Sequence, residues 1–184
     1  MLSWDFRNKC ENLGVYFRHQ LALNGFDPLG ARQLAEHMGF QLLHPRDLVD
    51  GENFTEEDAA KVEQLDSWSA CVIPAHQPII IYHPRHSPAR FESSVMHELA
   101  HLILKHQSEK LIIAHGRFAQ RAYSKRQERE AEYLGSCLQI PETALRYARQ
   151  NGMSVDEVMS MYGASREMVN WRLNACRIRL GGEI

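Results

Sequence analysis

The chain has 184 residues, 44% of them hydrophobic and 24% charged, with a formal net charge of -2. That length and composition suit one globular domain with a real core, and the near-zero net charge gives no global pull toward nucleic acid or membrane. No apolar run approaches the ~18 residues of a membrane span, and the N-terminus lacks the apolar stretch of a signal peptide.

In chain order, residues 4–24 read as a helix that stops at Asn24-Gly25. "DPLGARQLAEHMG" reads as a second helix, with Asp27 as N-cap, Pro28 at the first position and Gly39 as its stop. "FQLLHP" is a short strand, and Thr55 caps a helix running to about Leu65. "SWSACVIP" and "QPIIIYHP" are strand-like, punctuated by Pro74, Pro78 and Pro84. Ser87 and Pro88 start a long helix through "SSVMHELAHLILKH". Residues 108–124 show no clear period, "KRQEREAEYLGSCLQIP" is a helix ending before Pro141, and two or three short helices complete the chain. Strands are expected only at about 40–83, so the class is α+β.

Stepped at about 100° per residue, Val95, Leu99, Leu102 and Ile103 share one face of the long helix. His97, Glu98 and His101 fall on the opposite face, with the two imidazoles one turn apart. Two ring nitrogens at that spacing can reach one Zn²⁺ at about 2.0–2.1 Å, with Glu98 beside them, where it can reach a metal-bound water rather than the metal. The alternative is a surface helix with solvated histidines, and ten histidines in the chain weaken any single one. The strongly apolar flanks favour the metal. A third ligand is expected from "QEREAEYLG", where Glu128 borders the stripe of Ala131, Leu134, Gly135 and Leu138. Glu132, one turn on, is a candidate to accept the second N–H of a ligating histidine; Glu130 points about 200° away from Glu128.

"MHELAHLILKH", "EREAEYLGSCLQIPETAL" and "SVDEVMSMYGASREMVNWRLN" together resemble the ImmA/IrrE metallopeptidase family, from about residue 28 to the C-terminus. The resemblance implies a zincin-like fold, with a small, mostly antiparallel sheet packed against the metal helix. It implies His97, His101 and Glu128 as ligands of Zn²⁺ (or Mn²⁺) and Glu98 as catalytic base. Glu132 stands where the family usually has Asp or Asn. The expected organisation is an N-terminal helix (1–26), a core (27–140) and a helical C-terminal subregion (141–184). The implied activity is cleavage of a helix-turn-helix repressor in a DNA-damage or phage-related response. The rival is a non-proteolytic regulator with a structural metal.

Further expectations attach to single residues. Tyr123, Tyr133, His115 and Arg172 are candidate oxyanion donors. Cys71, in the strand bordering the site, is a candidate inhibitory fourth ligand; the alternative is a small buried apolar residue. Lys105, Lys110, Arg117, Arg121, Lys125 and Arg126 face only Glu109 between residues 105 and 127, a local excess of five positive charges. With Phe118 and Tyr123 interleaved, they are a candidate contact for single-stranded DNA, or else a solvated loop. The helix at Arg166–Leu173 has the rhythm of a recognition helix but too many apolar residues, so packing is expected of it. The four scattered cysteines, Cys10, Cys71, Cys137 and Cys176, predict no disulfides and a reducing, cytoplasmic setting. The other histidines, His106 among them, read as surface or local hydrogen-bonding residues.

Overall fold

A computed structural model describes residues 2–52, 54–73, 79–107, 110–114 and 118–181, with only the backbone for Ile73 and both strands of the 110–122 hairpin. The elements in order are α1 (Trp4–Gln20), α2 (Ala31–His37), β1 (Gln41–Leu43), a 3-10 turn (Pro45–Leu48), α3 (Glu56–Gln64), β2 (Ala70–Ile73) and β3 (Ile79–Tyr82). They continue with α4 (Pro88–Ile103), β4 (Lys110–Ala114), β5 (Phe118–Ala122), α5 (Lys125–Gln139), α6 (Glu142–Gln150), α7 (Val155–Tyr162) and α8 (Arg166–Cys176). This is a mixed α+β chain. Among the described residues no helix is long and apolar enough to cross a membrane.

Caps explain most boundaries. The Ser87 and Ser124 side chains accept the Arg90 and Gln127 backbone N–H groups at the starts of α4 and α5. At the start of α2 the expectation fails. Asp27 is taken up by Asn24, whose backbone and side-chain nitrogens both donate to Asp27 Oδ2. The helix begins instead at Ala31, whose N–H donates to Glu92 Oε2 of α4 at 2.7 Å. A carboxylate 61 residues away does the capping, and no local sequence pattern contains it. Burial pushes the Glu92 carboxyl above its ordinary value, against the opposing hydrogen bond from Ala31. The first helix also ends early: Leu23 N–H turns back to Arg18 O at 2.9 Å, with Ala22 left-handed at φ 58°.

The sheet order is β1-β3-β2, with β1 parallel and β2 antiparallel to β3. That leaves β2 as an edge. Residue alternation along β2 splits the sheet's two faces. Ala70 and Val72 join the main core with Val95, Met96, Leu99 and Ala100 of α4. Cys71 joins Phe54, Ala59, Val62, Trp68 and Ile81 on the side of α3. A third cluster, from Ile140 to Leu180, is built by α6, α7 and α8. Strands are not confined to residues 40–83. The segment without clear period holds a second antiparallel pair, β4 with β5, in the register Lys110↔Ala122 to Ala114↔Phe118. Its two five-residue strands are too short, and too mixed in composition, to show a period.

α5 is the spine of the molecule, packing against α4 on one side and α1 on the other. Both contacts are close because a glycine stands at each. A Cβ on Gly14 of α1 would meet the Cys137 carbonyl oxygen at 2.5 Å. On Gly135 it would stand 3.1 Å from both His97 N and Met96 O and 3.2 Å from His97 Cα. All three of those atoms are backbone and cannot swing aside. Gly135→Ala should therefore force α5 off α4 at the residue that opens the HExxH sequence. The expected loss is about 1–3 kcal/mol, read by urea denaturation. A midpoint equal to wild type would show that the helix contact is looser than described.

Candidate metal centre

α4 and α5 bring three donor atoms together. His97 Nε2 lies 3.1 Å from Glu128 Oε2 and 3.0 Å from His101 Nε2, and His101 Nε2 is 3.7 Å from the same carboxylate oxygen. His97, His101 and Glu128 thus form a group whose ligand atoms all fall within 4.8 Å of one another. Tetrahedral bonds of about 2.0–2.1 Å would place donors roughly 3.3 Å apart, inside the observed spread. Two imidazoles and one carboxylate also suit the chemistry of Zn²⁺. Local structure explains the convergence. The i, i+4 spacing stacks the histidines on one face of α4, and Gly135 lets α5 come close enough for Glu128, two turns earlier, to reach them.

His101 is the anchored member, 1% exposed, with the Tyr123 ring stacked on it at 3.7 Å between centroids. Its Nδ1 stands 2.9 Å from His106 Nδ1, and His106 Nε2 stands 3.2 Å from Glu130 Oε2. Burial lowers the His106 pKa from its usual range, against the raising effect of Glu130. Burial also works to raise the Glu130 carboxyl, but Arg126 and His106 outweigh it and hold the group below its ordinary value.

Of the two expectations for His106, surface or local hydrogen bonding, the contacts give the second, and behind the ligands they run to Glu130 rather than to Glu132. Glu132 is exposed and lines the cleft. The missed signal is the end of α4: Lys105 is left-handed at φ 54°, and His106 N–H returns to His101 O at 3.0 Å. Helical angles cannot place a residue that has left the helix.

The donors open onto a cleft of about 410 Å³. One wall is residues 67–72, meaning β2 and its approach; the others come from α4 (Ser93, Ser94, Glu98), from Tyr123 with α5, and from Met168 of α8. Met168 was not foreseen, because only tertiary packing carries α8 to the site. Glu98 stands half-buried in this cleft, beside the donors but outside their group of three.

Other candidates stand outside the donor group. The Cys71 side chain packs in the cluster on the α3 side of the sheet, and its thiol is pushed up to about 12 by burial and then by Glu98; the structure does not bring it into the donor group. Arg172 is fully buried and donates to Glu11 Oε1 at 2.6 Å and Ile140 O at 2.7 Å, which removes it as an oxyanion donor. Tyr133 is packed between Trp171 and Arg172. His115 and Arg117 lie outside the described residues. Lys110 and Arg121 fall in β4 and β5, Lys125 is exposed at the start of α5, and Arg126 pairs with Glu130 at 2.8 Å. In α8, Val169, Arg172 and Leu173 are buried, so the helix packs as expected.

Residues 52–174 match the family model described as the IrrE N-terminal-like domain, of the peptidase M78 family. Among solved structures, a Mycobacterium tuberculosis transcriptional regulator is similar in fold, with a TM-score of 0.54 and 14% identity. The match covers 93% of this chain and 49% of the regulator, so the chain spans about half the length of that protein. No curated protein matches the chain.

Proposed function

Because the chain belongs to the IrrE N-terminal-like family of M78 peptidases, we propose that it is a zincin-like, metal-dependent endopeptidase with His97, His101 and Glu128 as ligands and Glu98 as base. The observation that carries this reading is the convergence of two imidazole nitrogens and one carboxylate oxygen in a cleft that Glu98 also lines. Zn²⁺ suits the donor set, and Mn²⁺ is the alternative. When bound, the cation would polarise the scissile carbonyl and acidify the attacking water. Glu98 takes the proton from that water and delivers it to the amide nitrogen as the C–N bond breaks, leaving a carboxylate and an amine. Tyr123, in the cleft, is retained as the oxyanion donor.

The substrate is an extended segment. β2 is a sheet edge and forms a cleft wall, so a strand of substrate can pair along it with alternate side chains reaching the cleft. In this reading residues 27–140 are the catalytic core and residues 141–184 a helical subregion that lends Met168. The family kinship supports a helix-turn-helix repressor as the natural substrate.

Two measurements test the reading. Elemental analysis of the purified, zinc-supplied protein should find about one ion per chain, and Glu128→Ala should lose it. Peptides from a denatured proteome should acquire new termini on incubation, and chelation or Glu128→Ala should stop this. A wild-type protein that takes up no metal would end the metallopeptidase reading.

A further inference from the structure

Behind His101 stand two further side chains, His106 and Glu130, that the peptidase reading leaves without a task. His101, His106 and Glu130 are 1%, 7% and 13% exposed at their side chains. They connect through Nδ1 to Nδ1 at 2.9 Å and Nε2 to Oε2 at 3.2 Å, and the other Glu130 oxygen accepts Arg126 Nε–H at 2.8 Å.

We propose that Glu130 and His106 are positioning residues that set His101, before any metal arrives, in the one tautomer able to bind a cation. The inference rests on the reading of His101 as a ligand. Its direction is fixed at the far end of the line. An ionised carboxylate can only accept, so His106 Nε2 carries a proton. At mildly alkaline pH, where imidazole is neutral, it has one donor and one acceptor nitrogen, so His106 Nδ1 is an acceptor. The 2.9 Å contact between the two Nδ1 atoms holds one proton, which must then sit on His101. His101 Nε2 is left with its lone pair, facing His97 and Glu128. His97 Nε2, at 3.0 Å from that nitrogen, and Glu128, at 3.7 Å, pull a proton toward Nε2, and the 2.9 Å contact behind the ring opposes them. Tyr123, stacked at 17° between planes, hinders the ring from turning over.

The first test uses ¹⁵N NMR of the histidine side chains in metal-free wild-type protein at mildly alkaline pH. His101 should carry its proton on Nδ1 and His106 on Nε2; a His101 protonated on Nε2 overturns the proposal. The second test is competition for Zn²⁺ against a chromogenic chelator. Glu130→Ala and His106→Ala should weaken binding about 10–100-fold, the usual cost of losing such a partner. His106→Gln, whose amide can accept and donate at the same spacing, should stay within about threefold of wild type. A purely packing role would not be rescued by that flexible amide, nor would it set the tautomer. If His106→Ala fails to fold, Glu130→Ala and the wild-type tautomers decide. Zinc bound equally well by wild type and Glu130→Ala removes this inference and leaves the peptidase reading standing; no zinc bound by wild type removes both.

Discussion

Glu98→Gln should lower peptide cleavage by about 10²–10⁴-fold, the contribution typical of a general acid–base, while zinc content and melting temperature stay at wild-type levels. The separation follows from where Glu98 stands. It is next to His97 in sequence, yet the three donor atoms that converge are those of His97, His101 and Glu128. Its carboxylate faces the cleft, where it can receive a proton from water and pass it on. The amide of glutamine fills nearly the same space but has no basic oxygen. Cleavage by Glu98→Gln at the wild-type rate would remove its role as base. A wild-type protein that binds zinc but cuts nothing in the proteome mixture would favour the rival class, a regulator whose metal is structural.

The second large effect is on stability. Arg172→Met should destabilise the protein by about 3–5 kcal/mol, the cost of breaking a buried ion pair from one side. At this chain length each kcal/mol lowers the melting temperature by roughly 2–4 °C, so a fall on the order of 10 °C is expected. Arg172 is 0% exposed and ties three elements together: Glu11 of α1, the Ile140 carbonyl after α5, and α8 itself. Removing it leaves the Glu11 carboxylate without its cation, held by Cys137 Sγ at 3.4 Å and Glu142 N–H at 2.8 Å. Glu11→Gln with Arg172→Met should recover part of the loss, because no charge is then left buried. A single variant that melts with wild type would mean that the pair is solvated. The prediction also bears on α1, which precedes the family match at residue 52. Through Glu11, and through Arg18 donating to the Gly14, Leu138 and Gln139 carbonyls, it is part of the same packed body.

The sequence by itself determined the local features: α4 with its serine cap, α5, β2 and β3, and the pairing of His97 with His101 on one helix face. Each depends on residues within about one turn or one strand of each other, and backbone geometry fixes those relations before any tertiary contact forms. Glu128 was legible too, since its place beside the Ala131–Gly135 stripe put it on the face that packs. Tertiary structure alone decided the rest. Asp27 looked like a cap until Glu92, from another helix, supplied the oxygen. Arg172 was one of four candidate oxyanion donors until Glu11 closed over it. His106 looked incidental until a left-handed turn at Lys105 folded it against His101, with Glu130 behind. Each of these turns on a polar group seeking its partner inside a packed body, and burial makes an unpaired group too costly to tolerate. The partner is therefore found wherever the chain passes, at distances along the sequence that no periodicity encodes.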